Sequence, residues 1–114
     1  MDSCLFCRII KKEIPSRVVY EDTQMVAFED VHPQAPVHIL VVPRKHLSSL
    51  SEIKTADTGL MDRLFQVADQ IAKDRQIASR GYRTVINCGP EGGQTIYHLH
   101  LHLLGGRQMT WPPG

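Results

Sequence analysis

The sequence reads TIYHLHLHLL between residues 95 and 104, and this stretch decides how the rest of the chain is interpreted. Alternation of polar and apolar residues is typical of a β-strand, in which side chains two apart share a face and lie about 6.6 Å apart. We therefore expect a strand from Thr95 to Leu104. His98, His100 and His102 should project from one face as a surface stripe, and the leucines should face the core.

Three histidines on one face allow two kinds of chemistry. They can hold a catalytic metal ion. Alternatively, one imidazole can attack phosphorus while its neighbours fix its tautomer and supply positive charge, since neutral imidazole is a good nucleophile near neutral pH. The glycine-rich run GPEGG at 89–93 favours the second chemistry, because such a loop can aim backbone N–H groups at phosphate oxygens. Asn87, Gln94 and Thr95 add polar groups beside it.

Working outward from this stretch, periodicity and chain breakers predict the remaining elements. The first is a short helix built on Leu5, Phe6, Ile9 and Ile10, capped by Asp2 or Ser3 and stopped by Pro15. It is followed by hairpin strands at 17–20 and 25–28 and by a buried strand at 37–42 that Pro43 ends. A long helix from about 55 to 77 and a strand at 83–88 come next. Short turns join most strands. The expected fold class is therefore α+β, a five-stranded antiparallel sheet with one long and one short helix. Residues 1–114 are expected to form a single domain.

Composition narrows the class of protein further. A net charge of +1 argues against a broad nucleic-acid footprint or polybasic membrane docking. The sequence has no apolar run of membrane-spanning length, and its start lacks the features of a secretory signal. The three cysteines are an odd number, which does not suit a disulfide framework. We therefore expect a cytoplasmic protein with reduced thiols and with neither nucleic-acid nor membrane partners.

Taken together, the motifs resemble the histidine triad (HIT) family, in its branch of histidine triad nucleotide-binding proteins. The family motif, His-x-His-x-His-x-x with apolar x, stands here at residues 98–104. Further similar runs are KEIP at 12–15, PQAPVH at 33–38, PRKH at 43–46, GGQ at 92–94 and GGRQMTWPPG at 105–114. The resemblance implies a homodimer that binds purine nucleotides. It also implies hydrolysis of the P–N bond of purine nucleoside 5′-phosphoramidates, such as adenosine 5′-monophosphoramidate, with no cofactor for catalysis. A nucleotide-binding regulatory module with incidental turnover is the alternative function.

The resemblance also implies roles for particular residues. His100 would be the nucleophile that forms a nucleotidyl-histidine intermediate, His102 would bind phosphate, and His38 would relay protons. Asp30 would accept hydrogen bonds from the ribose hydroxyls, and Trp111 would reach toward the site of the other subunit. The phosphate would also contact Asn87, Gly93 and Thr95, and the family often has serine at the position of Thr95. An apolar slot for the base would be lined by Phe6, Ile9, Phe28 and Val31.

Cys4 and Cys7 form a C-x-x-C pair. The pair alone is a weak zinc signal, because zinc needs two more ligands. Some histidine triad relatives complete a tetrahedral site with a histidine after the central strand and the first triad histidine, which are His46 and His98 here, whereas other relatives lack the cysteines. The resemblance thus predicts a structural zinc site that catalysis does not require. Cys88, inside an apolar strand, is expected to be a packing residue.

Overall fold

The computed structural model describes residues 3–114. Its elements are helix α1 (Leu5–Ile10), strands β1 (Val18–Glu21), β2 (Met25–Glu29) and β3 (Val37–Pro43), two 3-10 turns (Leu50–Glu52 and Thr55–Asp57), helix α2 (Thr58–Asp74), and strands β4 (Tyr82–Val85) and β5 (Leu101–Gly105). The strands form one sheet in the order β1-β2-β3-β5-β4, and all neighbours are antiparallel. The predicted fold class is confirmed. Within the described range, no helix is long and apolar enough to cross a membrane.

Strands β2 and β3 are buried on both faces, because almost all of their side chains are apolar. On one face, Ile39, Val41, Leu101 and Leu103 pack against α2. The helix contributes Leu64, Val67, Ala68, Ile71 and Ala72 to this core. The other face is covered by the short helix α1, and its core cluster consists of Phe6, Ile9, Val26, Phe28, Leu40 and Val42. His102 pairs with Leu40 in the ladder, so the triad histidine of β5 lies on the α1 face.

Helix α1 begins and ends differently from the prediction. Its N-cap is Cys4, whose Sγ accepts a hydrogen bond from the Cys7 backbone N–H over 3.4 Å, so Ser3 is not the cap. The alternative cap, Asp2, lies outside the described residues. At the other end, Lys12 adopts a left-handed φ of 63°, which turns the chain before it reaches Pro15.

The last strand is shorter than predicted, since β5 begins only at Leu101. Continuing the β3–β5 register would bring Leu99 opposite Pro43, which has no N–H to donate to the ladder. The Leu99 N–H instead donates to the Leu47 carbonyl over 2.6 Å. The expected surface stripe is also wrong. His98 is fully buried and His100 is 6% exposed, because residues of α1 cover this face of the sheet.

Candidate active site and metal centre

The imidazole of His100 is held in one tautomer. Its Nδ1 lies 2.7 Å from the backbone carbonyl oxygen of His98, which can only accept a hydrogen bond, so Nδ1 carries the proton. The Nε2 of neutral His100 therefore keeps its lone pair. Burial lowers the pKa of His100, against the opposing effects of the His98 carbonyl and of Asp30. A buried, neutral and oriented imidazole is suited to nucleophilic attack.

His102 and His38 form a pair next to this nucleophile. The ring centroids of His100 and His102 lie 5.0 Å apart, and the His102 Nδ1 lies 2.9 Å from the Nε2 of His38. Burial, with further contributions from His100 and His38, lowers the pKa of His102 to about 4. Burial also lowers the pKa of His38, although the Asp30 carboxylate opposes this shift. The structure thus brings together three of the four predicted catalytic residues, and burial favours the neutral form of all three imidazoles.

Asp30 joins this cluster to a cavity on the surface. Its Oδ2 lies 3.5 Å from the His38 Nε2, and its Oδ1 accepts a hydrogen bond from the His32 N–H over 2.7 Å. A carboxylate has about four acceptor positions, so both oxygens can accept further hydrogen bonds. The cavity has a volume of about 560 Å³ and is lined by Pro15, Ser16, Arg17, Glu29, Asp30, Val31 and Pro33. Such a cavity next to three histidines is suited to a nucleoside-sized ligand.

The residues predicted to line the base slot are divided between two places. Phe6, Ile9 and Phe28 are buried members of the α1 core, with exposures of 4%, 8% and 3%. Only Val31, which is 83% exposed, lies in the wall of the cavity beside Asp30. Sequence reasoning missed Pro15 and Pro33 as cavity residues. Both belong to connecting turns, and no periodic signal marks a turn as the wall of a cavity.

The glycine-rich loop packs against Asn87, and the amide of Gly93 is engaged within the loop. The Asn87 side chain donates to the Gly92 carbonyl over 2.7 Å, while the Gly93 N–H donates to the Pro90 carbonyl over 3.1 Å. Asn87 and Gly93 are therefore adjacent, with the glycine N–H turned into the loop. Thr95 is exposed and lines a cavity of about 370 Å³ together with Cys4 and His46.

The four predicted zinc ligands do come together. The Sγ and Nδ1 atoms of Cys4, Cys7, His46 and His98 all lie within 4.8 Å of one another. The measured separations are 3.5 Å for Cys4–His98, 3.4 Å for Cys7–His46, 3.6 Å for Cys7–His98 and 3.1 Å for His46–His98. In a regular tetrahedral zinc site the ligand atoms would be about 3.3 to 3.8 Å apart, given the usual Zn–N and Zn–S bond lengths. These four separations fit a Cys₂His₂ site to within a few tenths of an ångström.

The surroundings of these ligands support the same interpretation. The Nε2 of His98 lies 2.8 Å from the Pro43 carbonyl oxygen and donates to it, so the Nδ1 lone pair faces the two thiols. Burial and the neighbouring Cys4 raise the pKa of the Cys7 thiol, so binding of a metal would release protons.

Cys88 and Trp111 belong to neither the histidine cluster nor the metal cluster. Cys88, predicted to pack within a strand, comes after β4 has ended at Val85, and its Sγ is 3.3 Å from the Ser51 hydroxyl. Hydrogen bonding by Ser51 lowers the pKa of this half-buried thiol. Trp111 is 82% exposed. Its expected reach toward a second copy of the chain stays a prediction.

Comparison with known proteins agrees with the predicted family and fold. The family model described as "Scavenger mRNA decapping enzyme C-term binding" matches residues 3–111. A HIT family hydrolase from Legionella pneumophila has a similar crystal structure, with a TM-score of 0.97 and 47% identity, covering 98% of this chain and all of the other. This chain belongs to the histidine triad family.

Two curated plant proteins are similar over nearly the whole chain. The maize 14 kDa zinc-binding protein is 51% identical over 112 residues, which cover 96% of this chain and 87% of the maize protein. Adenylylsulfatase HINT1 of Arabidopsis thaliana is 50% identical over 112 residues, covering 96% of this chain and 76% of that protein.

Proposed function

We propose that this protein is a nucleotide-binding hydrolase that cleaves the P–N bond of purine nucleoside 5′-phosphoramidates through a nucleotidyl-histidine intermediate. The observation that carries the proposal is the His100–His98 hydrogen bond of 2.7 Å, which leaves a lone pair on the Nε2 of a buried, neutral imidazole. A metal-bound triad would instead engage all three histidines as ligands. In the structure, the ring of His98 faces the two thiols instead.

The reaction would proceed in two displacements at the α-phosphorus. First, the His100 Nε2 lone pair forms an N–P bond while the P–N bond to the leaving amine breaks, and the amine leaves with that electron pair and takes up a proton. Water then attacks the same phosphorus, loses a proton and displaces His100, which gives the nucleoside monophosphate. His102 lies beside His100 and would contact a phosphoryl oxygen, where a hydrogen-bond donor stabilises developing charge.

The nucleoside would lie in the cavity beside Asp30. In that position the carboxylate would accept hydrogen bonds from the ribose hydroxyls, with Val31, Pro15 and Pro33 as apolar contacts for the base. Asn87 would approach the phosphate through its second amide hydrogen, since the first is donated to Gly92. A contact from the Gly93 N–H would require the loop before the triad to rearrange when the substrate binds, because that N–H donates to the Pro90 carbonyl. Thr95 would supply its hydroxyl to another phosphate oxygen.

The Arabidopsis relative suggests a second leaving group. Its name describes an adenylylsulfatase, an enzyme that acts on an adenylyl group bonded to sulfate. The same attack of His100 on an α-phosphorus would release sulfate instead of an amine. Assays of this protein should therefore compare adenosine 5′-monophosphoramidate with adenylyl sulfate.

We also propose that Cys4, Cys7, His46 and His98 hold a structural zinc ion. Support comes from the ligand distances and from the zinc-binding maize relative. When bound, the ion would cross-link the beginning of α1 to the segment after β3 and to the triad segment, and it would supply no chemistry at phosphorus.

The test of catalysis is the rate of adenosine 5′-monophosphoramidate hydrolysis by wild-type protein and by His100→Ala. We expect the variant to lose at least about a thousandfold in kcat, because no other group carries the covalent step. His32→Ala removes an exposed histidine and serves as the matched control. Quenching in alkaline denaturant with labelled substrate should trap nucleotidyl-protein in the wild type only, because an N–P bond to histidine hydrolyses in acid. Unchanged turnover in His100→Ala would refute the proposal.

A further inference from the structure

A chain of hydrogen bonds runs from the main chain to the triad. The Gln34 backbone N–H donates to the His38 Nδ1 over 3.0 Å, and the His38 Nε2 lies 2.9 Å from the His102 Nδ1. The first member is a peptide N–H, which can donate a hydrogen bond but cannot accept one. The direction of the whole chain is therefore set at Gln34.

This direction determines where each imidazole carries its proton. The His38 Nδ1 accepts from the Gln34 peptide, so neutral His38 has its hydrogen on Nε2. The nearer acceptor for that hydrogen is the His102 Nδ1 at 2.9 Å, since the Asp30 Oδ2 lies 3.5 Å from the same nitrogen. The His102 Nδ1 must then accept, and neutral His102 carries its own hydrogen on Nε2. The opposite arrangement would place two hydrogens between the Gln34 nitrogen and the His38 Nδ1, which are only 3.0 Å apart. Burial of His38 further favours its neutral form.

Other contacts hold the Gln34 peptide in place. The Gln34 carbonyl accepts a hydrogen bond from the Arg107 Nε over 2.9 Å, and its side-chain amide donates to the His32 carbonyl over 3.0 Å. Both contacts belong to Gln34 and restrain the residue whose main-chain amide faces His38.

We propose that the main-chain amide of Gln34 is a positioning group that, through His38, fixes His102 in the tautomer opposite to that of His100. His100, whose Nδ1 donates to the His98 carbonyl, presents a lone pair at Nε2. His102 presents an N–H at Nε2. A nucleophile and a hydrogen-bond donor thus stand side by side with both rings neutral. That the His102 donor binds a phosphoryl oxygen rests on the proposed function, whereas the tautomers do not.

Nuclear magnetic resonance of the intact, ligand-free protein tests the tautomers directly. Long-range correlations between ring hydrogens and ¹⁵N distinguish protonated from unprotonated ring nitrogens. Near pH 7.5 we expect the proton on Nδ1 in His100 and on Nε2 in both His38 and His102. A His102 with its proton on Nδ1, or with both tautomers populated in the wild type, would overturn the proposal.

Two substitutions at one position isolate the amide. Gln34→Pro removes the N–H, and Gln34→Ala keeps it while removing the side chain. We expect His102 to lose its single tautomer in the proline variant and to retain it in the alanine variant. Identical His102 spectra in both folded variants would overturn the assignment to the amide. Should the proline variant not fold, the wild-type spectrum still decides the tautomers.

Kinetics separates this inference from the proposed function. If His102 donates to phosphate, the folded proline variant should show a lower kcat than the alanine variant at similar KM, because the donor acts mainly on developing charge. A changed tautomer with equal kcat would support the positioning role of Gln34 and refute the role of His102 at phosphate.

Discussion

The main-chain carbonyl of His98 accepts a hydrogen bond from His100 over 2.7 Å, while the ring of the same His98 faces Cys4 and Cys7 at 3.5 and 3.6 Å. One residue thus takes part in both centres, but through different groups. The ring belongs to the metal cluster, and the carbonyl orients the nucleophile. The ring is further anchored by the Pro43 carbonyl at 2.8 Å, which does not involve a metal.

This division predicts that zinc supports the fold and not the chemical step. Zinc-loaded protein should contain one zinc per chain and should lose it in Cys7→Ser but keep it in Cys88→Ser. Removing the ion with a chelator should lower the melting temperature, since bound zinc adds about 4 kcal/mol when free zinc exceeds its Kd a thousandfold. Below that temperature kcat should stay unchanged. Loss of turnover in zinc-free protein that is still folded would show that the metal orients His100.

Asp30 should be the group that recognises ribose. Asp30→Asn is expected to raise KM for adenosine 5′-monophosphoramidate by about tenfold, because a charged hydrogen-bond acceptor is lost. The KM for the 2′-deoxy substrate should change less, since one of the hydroxyls is already missing. Asp62→Asn on the exposed face of α2 is the control. Equal effects on both substrates would mean that Asp30 acts only on His38, whose Nε2 lies 3.5 Å from its carboxylate, and does not bind the ribose.

Much of the fold could be predicted because local patterns and tertiary packing agree. The run from Val37 to Val42 is almost wholly apolar and became the central strand, buried on both faces. The stripe of Leu64, Val67 and Ile71 has one consistent period and became the buried face of α2. The long helix is nevertheless shorter than the predicted 55–77, because a 3-10 turn precedes Thr58 and Gln76 adopts a left-handed φ of 61°.

The parts that could not be predicted depend on how distant segments meet. Alternation correctly separated His102 from Leu101 and Leu103, but it could not show that α1 would cover His98 and His100. The same ambiguity affected Phe6 and Phe28, since an apolar residue near a site can line a slot or fill a core. Helix α1 packs their rings edge to face at 5.3 Å, which places both in the core.

The loop before the triad should tolerate no side chain at Gly92. A Cβ at this position would collide with the Cys88 carbonyl oxygen, and the Gly92 carbonyl is the acceptor for the Asn87 side chain at 2.7 Å. We expect Gly92→Ala to cost about 1 to 3 kcal/mol of stability through overpacking and to lower kcat/KM by displacing Asn87.

Gly59→Ala is the matched control for this loop substitution. Gly59 lies in α2, and a methyl group added to it would meet no atom within 4 Å, so alanine there should be neutral or add up to about 1 kcal/mol of helix stability. If Gly92→Ala and Gly59→Ala had the same stability and the same kcat/KM, the close approach of Gly92 to the Cys88 carbonyl oxygen would not matter for the loop.

The carboxylate of Asp22 links the β1–β2 hairpin to helix α2. Its Oδ1 accepts hydrogen bonds from the Gln24 and Met25 N–H groups at 2.7 and 2.8 Å, and its Oδ2 accepts from Tyr20 and Arg63 at 2.6 and 2.8 Å. Burial raises the pKa of Asp22, but these hydrogen bonds outweigh it and hold the pKa well below the usual 3.8. The folded state therefore binds fewer protons here than the unfolded state in acid.

It follows that Asp22 stabilises the fold fully above pH 5 or so, and that this contribution is lost as the pH falls through and below about 4. Asp22→Asn keeps an oxygen for the two turn amides and loses the acceptor for Tyr20 and Arg63. We expect it to lower the free energy of unfolding by about 1 kcal/mol at pH 7, allowing for partial exposure of the pair. Urea denaturation from pH 7 to pH 3 should show the difference from wild type shrinking toward acid. A difference independent of pH would mean that packing of the side chain, and not its charge, holds the hairpin to the helix.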